Sequence, residues 1–306
     1  MSDPAWLIVL ASLLGGALKV STPFIFVSLG EAITEKSGRI NLGLEGTLVF
    51  GAMAGYAAAY HTGSAWLGVA CAAGAGSVFG LLHGLLCSLP KVNDVALGIA
   101  LMILGLGLAF FLGKSYVQPT APRLQDLQLG AWSSSIVVQS ALRINVLFLV
   151  GLALALCLTW ALTYTRWGMQ VRAVGDSAAA AKALGLSVNR TRVTATIIGS
   201  ALAGIGGAFL SLYYPGSWNE ALSSGQGIMA VALVIFARWH PMGCFAASLL
   251  FGAASSVGPA LQAVGISQGY HLWNAAPYVL TLLVMLITVS PTRALRGAPG
   301  ELPLMR

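Results

Sequence analysis

Residues Ser64–Leu89 read SAWLGVACAAGAGSVFGLLHGLLCSL. The stretch contains no Asp, Glu, Lys or Arg. Wound as a helix at about 1.5 Å per residue, it is long enough to cross a hydrocarbon core of about 30 Å. Gly76, Gly80 and Gly84 recur at every fourth position. That spacing places them on one helix face, a GxxxGxxxG ridge on which the backbone of a second helix can come into van der Waals contact. A segment apolar all round that carries such a ridge meets lipid on one side and another helix on the other.

The rest of the chain agrees with this reading. Of 306 residues, 57% are hydrophobic and 8% charged, and the mean hydropathy is +0.83. Soluble domains carry about 25% charged residues, so this chain lacks the charge to clothe a water-facing surface. Further apolar stretches run over Ala5–Ile33, Asn41–Tyr60, Val92–Gly113, Ile144–Thr165, Val193–Tyr214, Gly225–Ala237, Met242–Gly258 and Leu272–Ser290. The expected fold is an all-α polytopic transmembrane bundle of about nine spans, one domain over residues 1–306, with some helices discontinuous. Thr22-Pro23 marks a kink or break in the long first span. Gly51 with Gly55, and Ser200 with Gly204 and Ala208, repeat the small-residue ridge. No linker or charge block marks a second, soluble domain. No basic region precedes the apolar run at Ala5, so no cleavable leader is expected.

Net charge is +7, but the basic residues are scattered over short loops rather than striped with aromatics, which excludes nucleic acid as a partner. They fit an orientation instead. With the loop 166–192 in the cytoplasm and the spans alternating, twelve fall inside: Lys36, Arg39, Lys91, Arg166, Arg172, Lys182, Arg190, Arg192, Arg238, Arg293, Arg296 and Arg306. Three (Lys114, Arg123, Arg143) fall outside, and Lys19 lies within the first span. The positive-inside rule then predicts an external N-terminus and a cytoplasmic C-terminus. Residues 114–143 become the long external loop.

Three segments interrupt the apolar pattern. The first, SGRINLGLEG (Ser37–Gly46), brings Asn41 and Glu45 into a span. An intramembrane carboxylate is expensive and points to function, and broken backbone at membrane depth is tolerated only beside protein or a watery cavity. Glu45 either lines a solute path or pairs with Arg39 or Lys36 at the interface. The second, SSGQGIM (Ser223–Met229), opens a short apolar segment in the second half, much as the first does in the first half. Paired interrupted helices suggest a binding site between two halves. Gln226 is either a hydrogen-bond partner for a neutral polar solute or part of a packed helix start. Candidate path residues are Asn41, Glu45, Asn93, Gln226 and Met229, although Asn93-Asp94 also suits a helix cap.

The third is the internal loop, GMQVRAVGDSAAAAKALGLSVNR (Gly168–Arg190). Asp176 or Ser177 is a fair N-cap, the alanine run favours helix and Gly185 suits a C-cap. The result is a short extramembrane helix with small residues on its surface, either a docking element for a soluble partner or an idle surface helix.

The four cysteines, Cys71, Cys87, Cys157 and Cys244, lie within apolar runs without CxxC spacing, as packed thiols do. His83 is expected to be a satisfied interior residue. His240, in the turn Trp239-His240-Pro241, has no ligand at metal spacing. There is no Gly-x-x-x-x-Gly-Lys-Ser/Thr run, no His-Glu-x-x-His and no Gly-x-Ser-x-Gly, so neither a catalytic nor a metal site is expected.

Taken in order, SGRINLGLEG, GMQVRAVGDSAAAAKALGLSVNR, SALAGIGGAFL and SGQGIMAVALVIFARWHPMG resemble the inner-membrane permeases of ATP-binding-cassette importers in the ribose and branched-chain amino acid superfamily. More narrowly, the chain is similar to the shorter permease of nucleoside and simple-sugar importers. The resemblance implies a heterodimer with a second, longer permease, an ATP-binding cassette subunit that carries ATP and Mg, and an external solute-binding protein or lipoprotein. It implies no cofactor in this chain and a multi-pass location in the bacterial inner membrane. Arg172, Gly175, Asp176, Ala180, Ala181, Leu184 and Gly185 would form the coupling helix that contacts the ATPase. A nucleoside is the expected solute, with a simple sugar, purine or flavin as alternatives. Ala237 departs from the glycine expected before Arg238. From another mechanistic class, an ion-coupled transporter would use Glu45 or Asp94, and a structural assembly protein would move no solute.

Overall fold

The computed structural model describes residues 5–130, 132–133, 135–266, 268–269, 272–273, 275–288 and 297–302. Twelve helices are described below in chain order. They are α1 (Ala5–Lys36), α2 (Leu44–Thr62), α3 (Ala65–Leu86), α4 (Asp94–Gly113), α5 (Ile136–Ala141) and α6 (Val146–Tyr164), then α7 (Arg166–Asp176), α8 (Ala178–Ala183), α9 (Val188–Leu212), α10 (Gln226–Phe236), α11 (Pro241–Gln262) and α12 (Ala276–Thr288). Each of the first eight apolar stretches holds one helix, and α12 lies within the ninth. Of these, α1, α3, α4, α6, α9 and α11 are long and apolar enough to cross a membrane. Helix α2 has 19 residues but is diluted by Glu45, Thr47 and small residues. Helix α10 has only 11 residues, about 16 Å, and cannot span a bilayer by itself.

Local chemistry sets the helix ends. Ser64, Asn93, Asn145, Thr165 and Ser177 cap α3, α4, α6, α7 and α8, each accepting from a backbone N–H in the first turn. The break expected at Thr22-Pro23 is absent: α1 runs through Pro23 as one helix. Thr22 turns its hydroxyl back to the Leu18 carbonyl at 2.8 Å.

Helix α9 is the hub, packed on α1, α2 and α3. The predicted ridges meet there. A β-carbon added to Gly76 would lie 2.2 Å from the Ser200 carbonyl oxygen, and one on Gly204 would lie 2.1 Å from that of Ala72. Close backbone contact of this kind replaces the hydrophobic drive that lipid denies to helix pairs. On the other side of α1, α11 packs along its length, with Ser28 and Ser248 in hydrogen-bond contact at 3.2 Å.

The loop 114–143 is not wholly irregular. Strands β1 (Asp126–Gln128) and β2 (Arg143–Asn145) pair antiparallel, Leu127 opposite Ile144. The loop is tied down by Tyr56, whose hydroxyl donates to the Pro119 carbonyl at 2.8 Å, and by the Leu124 N–H on the Leu212 carbonyl at 3.0 Å.

Candidate translocation site

The two interrupted motifs meet. Glu45, in the first turn of α2, reaches the start of α10. Its carboxylate accepts from the Ser223 hydroxyl and from the backbone N–H groups of Gly225 at 3.1 Å, Gly227 at 2.6 Å and Ile228 at 3.3 Å. These are the donors that a helix start leaves without partners, and the positive ends of both helix dipoles converge on the same anion. Gly227 permits the approach: a β-carbon there would lie 2.6 Å from Glu45 Cα.

The meeting point is deep. Gly46 packs on Gly105, where an added β-carbon would lie 2.7 Å from the Gly46 carbonyl carbon. Gly105 is the twelfth of the 20 residues of α4, about 16 Å along that helix. The polar cluster therefore lies near the middle of a span; the irregular backbone leading into α2 is mostly buried, whereas Glu220, Ala221 and Ser224 before α10 are exposed.

Asn41 builds the approach to α2. Its backbone N–H donates to Glu31 at 2.7 Å, its amide nitrogen donates to the Ser200 hydroxyl at 3.2 Å, and its amide oxygen accepts from the Gly43 N–H at 3.0 Å. Gln226 is half-buried, and its amide oxygen finds no hydrogen-bond partner among the described residues. Glu45 and the α10 start that carries Gln226 thus come together, Asn41 is held by α1, α9 and its own turn, and Asn93 and Met229 stand apart. Asn93 is exposed and caps α4 through bonds of 2.9 and 3.0 Å to the Val95 and Ala96 N–H groups. Met229 lines an apolar cavity of about 330 Å³ with Phe251 and Tyr278.

Glu45 does not pair with Arg39 or Lys36. Arg39 is held by Asp94 at 2.6 Å and also donates to the Cys87 carbonyl. His83 is interior, and neither ring nitrogen makes a hydrogen bond of full geometry among the described residues, although the Ile40 backbone lies close to the ring. Among the described residues no group of three or more His, Cys, Asp and Glu could hold a metal.

The internal loop forms two helices. Ser177 caps α8, accepting from the Ala180 N–H at 3.3 Å, and Gly185 closes it in the left-handed region at φ +79°. Arg172, Asp176, Ala180, Leu184 and Gly185 are exposed, Leu184 at 77%. Gly175 and Ala181 are buried. A β-carbon on Gly175 would lie 2.0 Å from the Lys36 carbonyl oxygen, so these two hold the loop against the bundle rather than face outward.

Residues 13–289 match the protein family described as the branched-chain amino acid transport system permease component. The chain belongs to this family. Among relatives of this permease, a putative glucose ABC transporter permease protein of Haloferax volcanii is 30% identical, covering 94% of each chain. A nucleoside ABC transporter permease of Lactococcus lactis is 28% identical over 87% of this chain and 88% of its own. A guanosine ABC transporter permease of Bacillus subtilis is 28% identical over 90% and 92%. Each of these two bacteria has a second ABC permease of the same designation that also matches, with 74% and 71% of its length covered. No solved structure matches the chain.

Sequence reasoning passed over two carboxylates in this permease. Glu31 and Glu35 are both buried on α1, one turn apart. Glu31 takes the Asn41 N–H, and Glu35 takes the Trp239 indole N–H. The signal was present: two acids at i and i+4 at the end of an apolar stretch face one side of a helix. Glu301 was also missed. It accepts from the Ala178 N–H at 3.1 Å and from Arg192 at 3.3 Å, so a segment distant in sequence braces α8.

Proposed function

We propose that this permease subunit imports a small polar solute, a nucleoside in the first instance, past the meeting point of α2 and α10. The observation that carries the reading is the convergence of both helix starts on Glu45 near mid-span. Such broken helices present backbone dipoles and a few polar groups to a solute without opening the bundle to lipid. The unpartnered Gln226 oxygen supplies an acceptor for a hydroxyl or amide N–H. Asn41 and Glu45 shape the site, whereas Asn93 caps α4 and Met229 lines the apolar cavity beside Tyr278, both away from the solute. The two bacterial relatives named for nucleoside and guanosine transport support that solute class. A simple sugar is the second reading, favoured by the relative named for glucose.

Energy comes from a partner. The chain has no nucleotide-binding loop, so ATP and Mg bind on an ATP-binding cassette subunit. That subunit docks on the exposed side of α7 and α8 through Asp176, Ala180, Leu184 and Gly185, with Gly175 and Ala181 bracing the loop from behind and Arg172 turned back to the Thr163 carbonyl. The second permeases among the relatives, covered over a smaller share of their length, support a longer partner permease. An external solute-binding protein or lipoprotein delivers the solute. The assembly lies in the cytoplasmic inner membrane with the N-terminus outside and the C-terminus inside. An ion-coupled mechanism has less support, because Glu45 and Asp94 are both engaged by protein donors.

The test is uptake by proteoliposomes that contain the complete assembly. ATP-dependent guanosine uptake, outcompeted by unlabelled nucleosides but not by glucose, is the expected result. Preference for glucose would move the solute to the sugar reading. Abolition by a proton uncoupler at clamped ATP would overturn the ATP-driven mechanism, and no uptake of any solute would leave a structural assembly role.

A further inference from the structure

A polar cavity of about 170 Å³ opens where α1, α6, α7 and the α10–α11 turn come together. Lys36, Arg172, Arg238 and His240 line it, with Thr159 and Thr163, whose hydroxyls donate to the carbonyls of Ala155 and Thr159. Among the described residues the ion pairs are Arg39–Asp94 and Arg192–Glu301, so none of the three cations at the cavity has a carboxylate within salt-bridge distance. Lys36 donates only to the Gly297 carbonyl at 3.2 Å and Arg172 to the Thr163 carbonyl at 3.4 Å. The nearest acids do not cancel this charge: Glu35 is taken by the Trp239 indole, and Asp176, exposed on α7, acts on Lys36 from beyond salt-bridge distance and leaves Arg172 and Arg238 without an acid among the described residues. Unpaired positive charge in a walled polar cavity selects an anion.

The cavity does not stand alone. Arg238 also lines an apolar cavity of about 270 Å³ with Ala247, Leu250 and Leu280. Phe251 of that cavity also lines the one of about 330 Å³ beside Tyr278 and Leu282. Arg238 borders the first two cavities and Phe251 the second and third, so the three lie in series as a track beside α10, α11 and α12, cationic at one end and apolar over the rest. Leu250, Tyr278 and Leu282 are each more than half exposed, so the track faces outward. In one ligand this shape is matched by a phosphate head at the cationic end with a hydrocarbon chain behind it. Basic pockets between spans on the cytoplasmic side are where anionic lipid heads bind.

We propose that this track holds an anionic glycerophospholipid, with its phosphate between Lys36, Arg172 and Arg238 and one acyl chain along the α10–α11–α12 groove. The lipid would tie the start of the internal loop at α7 to the α10–α11 turn.

The experiment is native mass spectrometry of the full-length chain in detergent, titrated with phosphatidylglycerol, phosphatidylcholine or inorganic phosphate, and repeated on the chain assembled with its partner permease. Retention of phosphatidylglycerol on the order of a hundredfold above phosphatidylcholine is expected, since each of the three basic residues contributes about fivefold. R172Q/R238Q should cut the preference to about fivefold, the share of Lys36. R172K/R238K should keep the preference, which separates charge loss from misfolding. Ala247→Trp should lower retention while leaving the preference for the anionic head. Equal retention of both lipids by the unaltered chain would overturn the proposal. So would displacement by millimolar inorganic phosphate, which would make the cavity a free-anion site. Loss of the lipid on assembly with the partner permease would make the groove a subunit interface and would also overturn it.

Discussion

At the residue scale, Glu45 is the informative position. Four donors converge on one carboxylate where water is scarce, and three of them are backbone N–H groups at the start of α10. Truncation strands those donors, and each stranded buried group costs about 1–3 kcal/mol. Glu45→Ala should therefore lose several kcal/mol and fail to yield folded protein by size-exclusion chromatography in detergent. Glu45→Gln keeps an oxygen for the Gly227 and Ile228 N–H groups and can turn its NH2 to the Ser223 hydroxyl, stranding only the Gly225 N–H, so it should fold with a drop in Tm and retain uptake. Gln226→Ala tests the opposite case, an acceptor with nothing to accept from. If its oxygen meets the solute, KM for uptake should rise about tenfold, the worth of one net hydrogen bond, with Tm unchanged. His83 is a third case: two ring nitrogens are buried without a hydrogen bond of full geometry among the described residues. His83→Leu should leave Tm in detergent unchanged or raise it, because removing a poorly satisfied polar group removes its desolvation cost. Composition and spacing singled out Asn41, Glu45 and Gln226, because polar groups in apolar stretches are conspicuous. They did not reveal that Asn41 is spent on the turn while Gln226 is not, which depends on Ser200 and Glu31 arriving from α9 and α1.

At the element scale, the pairing of α3 with α9 was legible. Gly76, Gly80 and Gly84 advertise one face and Ser200, Gly204 and Ala208 another, and the two meet with backbones in contact. Gly204→Val has no room for its side chain and should sharply reduce the folded fraction, since overpacking alone costs about 1–3 kcal/mol. Gly74→Ala on the same helix, where nothing lies within 4 Å of an added β-carbon, is the matched control and should be neutral. Helix α8 was legible from its alanines, Ser177 and Gly185, and its C-terminal Leu184 stands in the open. Leu184→Asp should leave folding intact and abolish solute-stimulated ATP hydrolysis in the reconstituted assembly. The brace behind α8 was not legible, because Glu301 lies 123 residues from Ala178 and nothing in its own neighbourhood signals the contact. The expected glycine before Arg238 proved unnecessary: Ala237 sits at φ −73°, where any residue is comfortable, and the left-handed positions are Arg238 and Trp239.

For the whole molecule, orientation is the open quantity that charge placement addresses. A single cysteine at Leu184, in a background without the four native cysteines, should react with a membrane-impermeant maleimide only after the membrane is breached. One at Leu129, in the 114–143 loop, should react in intact cells. The opposite pattern would invert the topology. Of the twelve basic residues assigned to the inner face, Arg293, Arg296 and Arg306 lie outside the described residues, so the labelling experiment carries that part of the assignment.

By itself, the sequence determined the class: a lipid-solvated helical bundle whose helices and packing ridges follow from apolar length and small-residue period. Both are local properties, expressed within one helix whatever its neighbours are. Only the tertiary structure decided that the interruptions at Glu45 and Gln226 meet, that Glu31, Glu35 and Glu301 are structural partners, and that three cations line one cavity. Those facts depend on which helices lie side by side, and a chain that folds helix against helix keeps that information in contacts far apart in sequence.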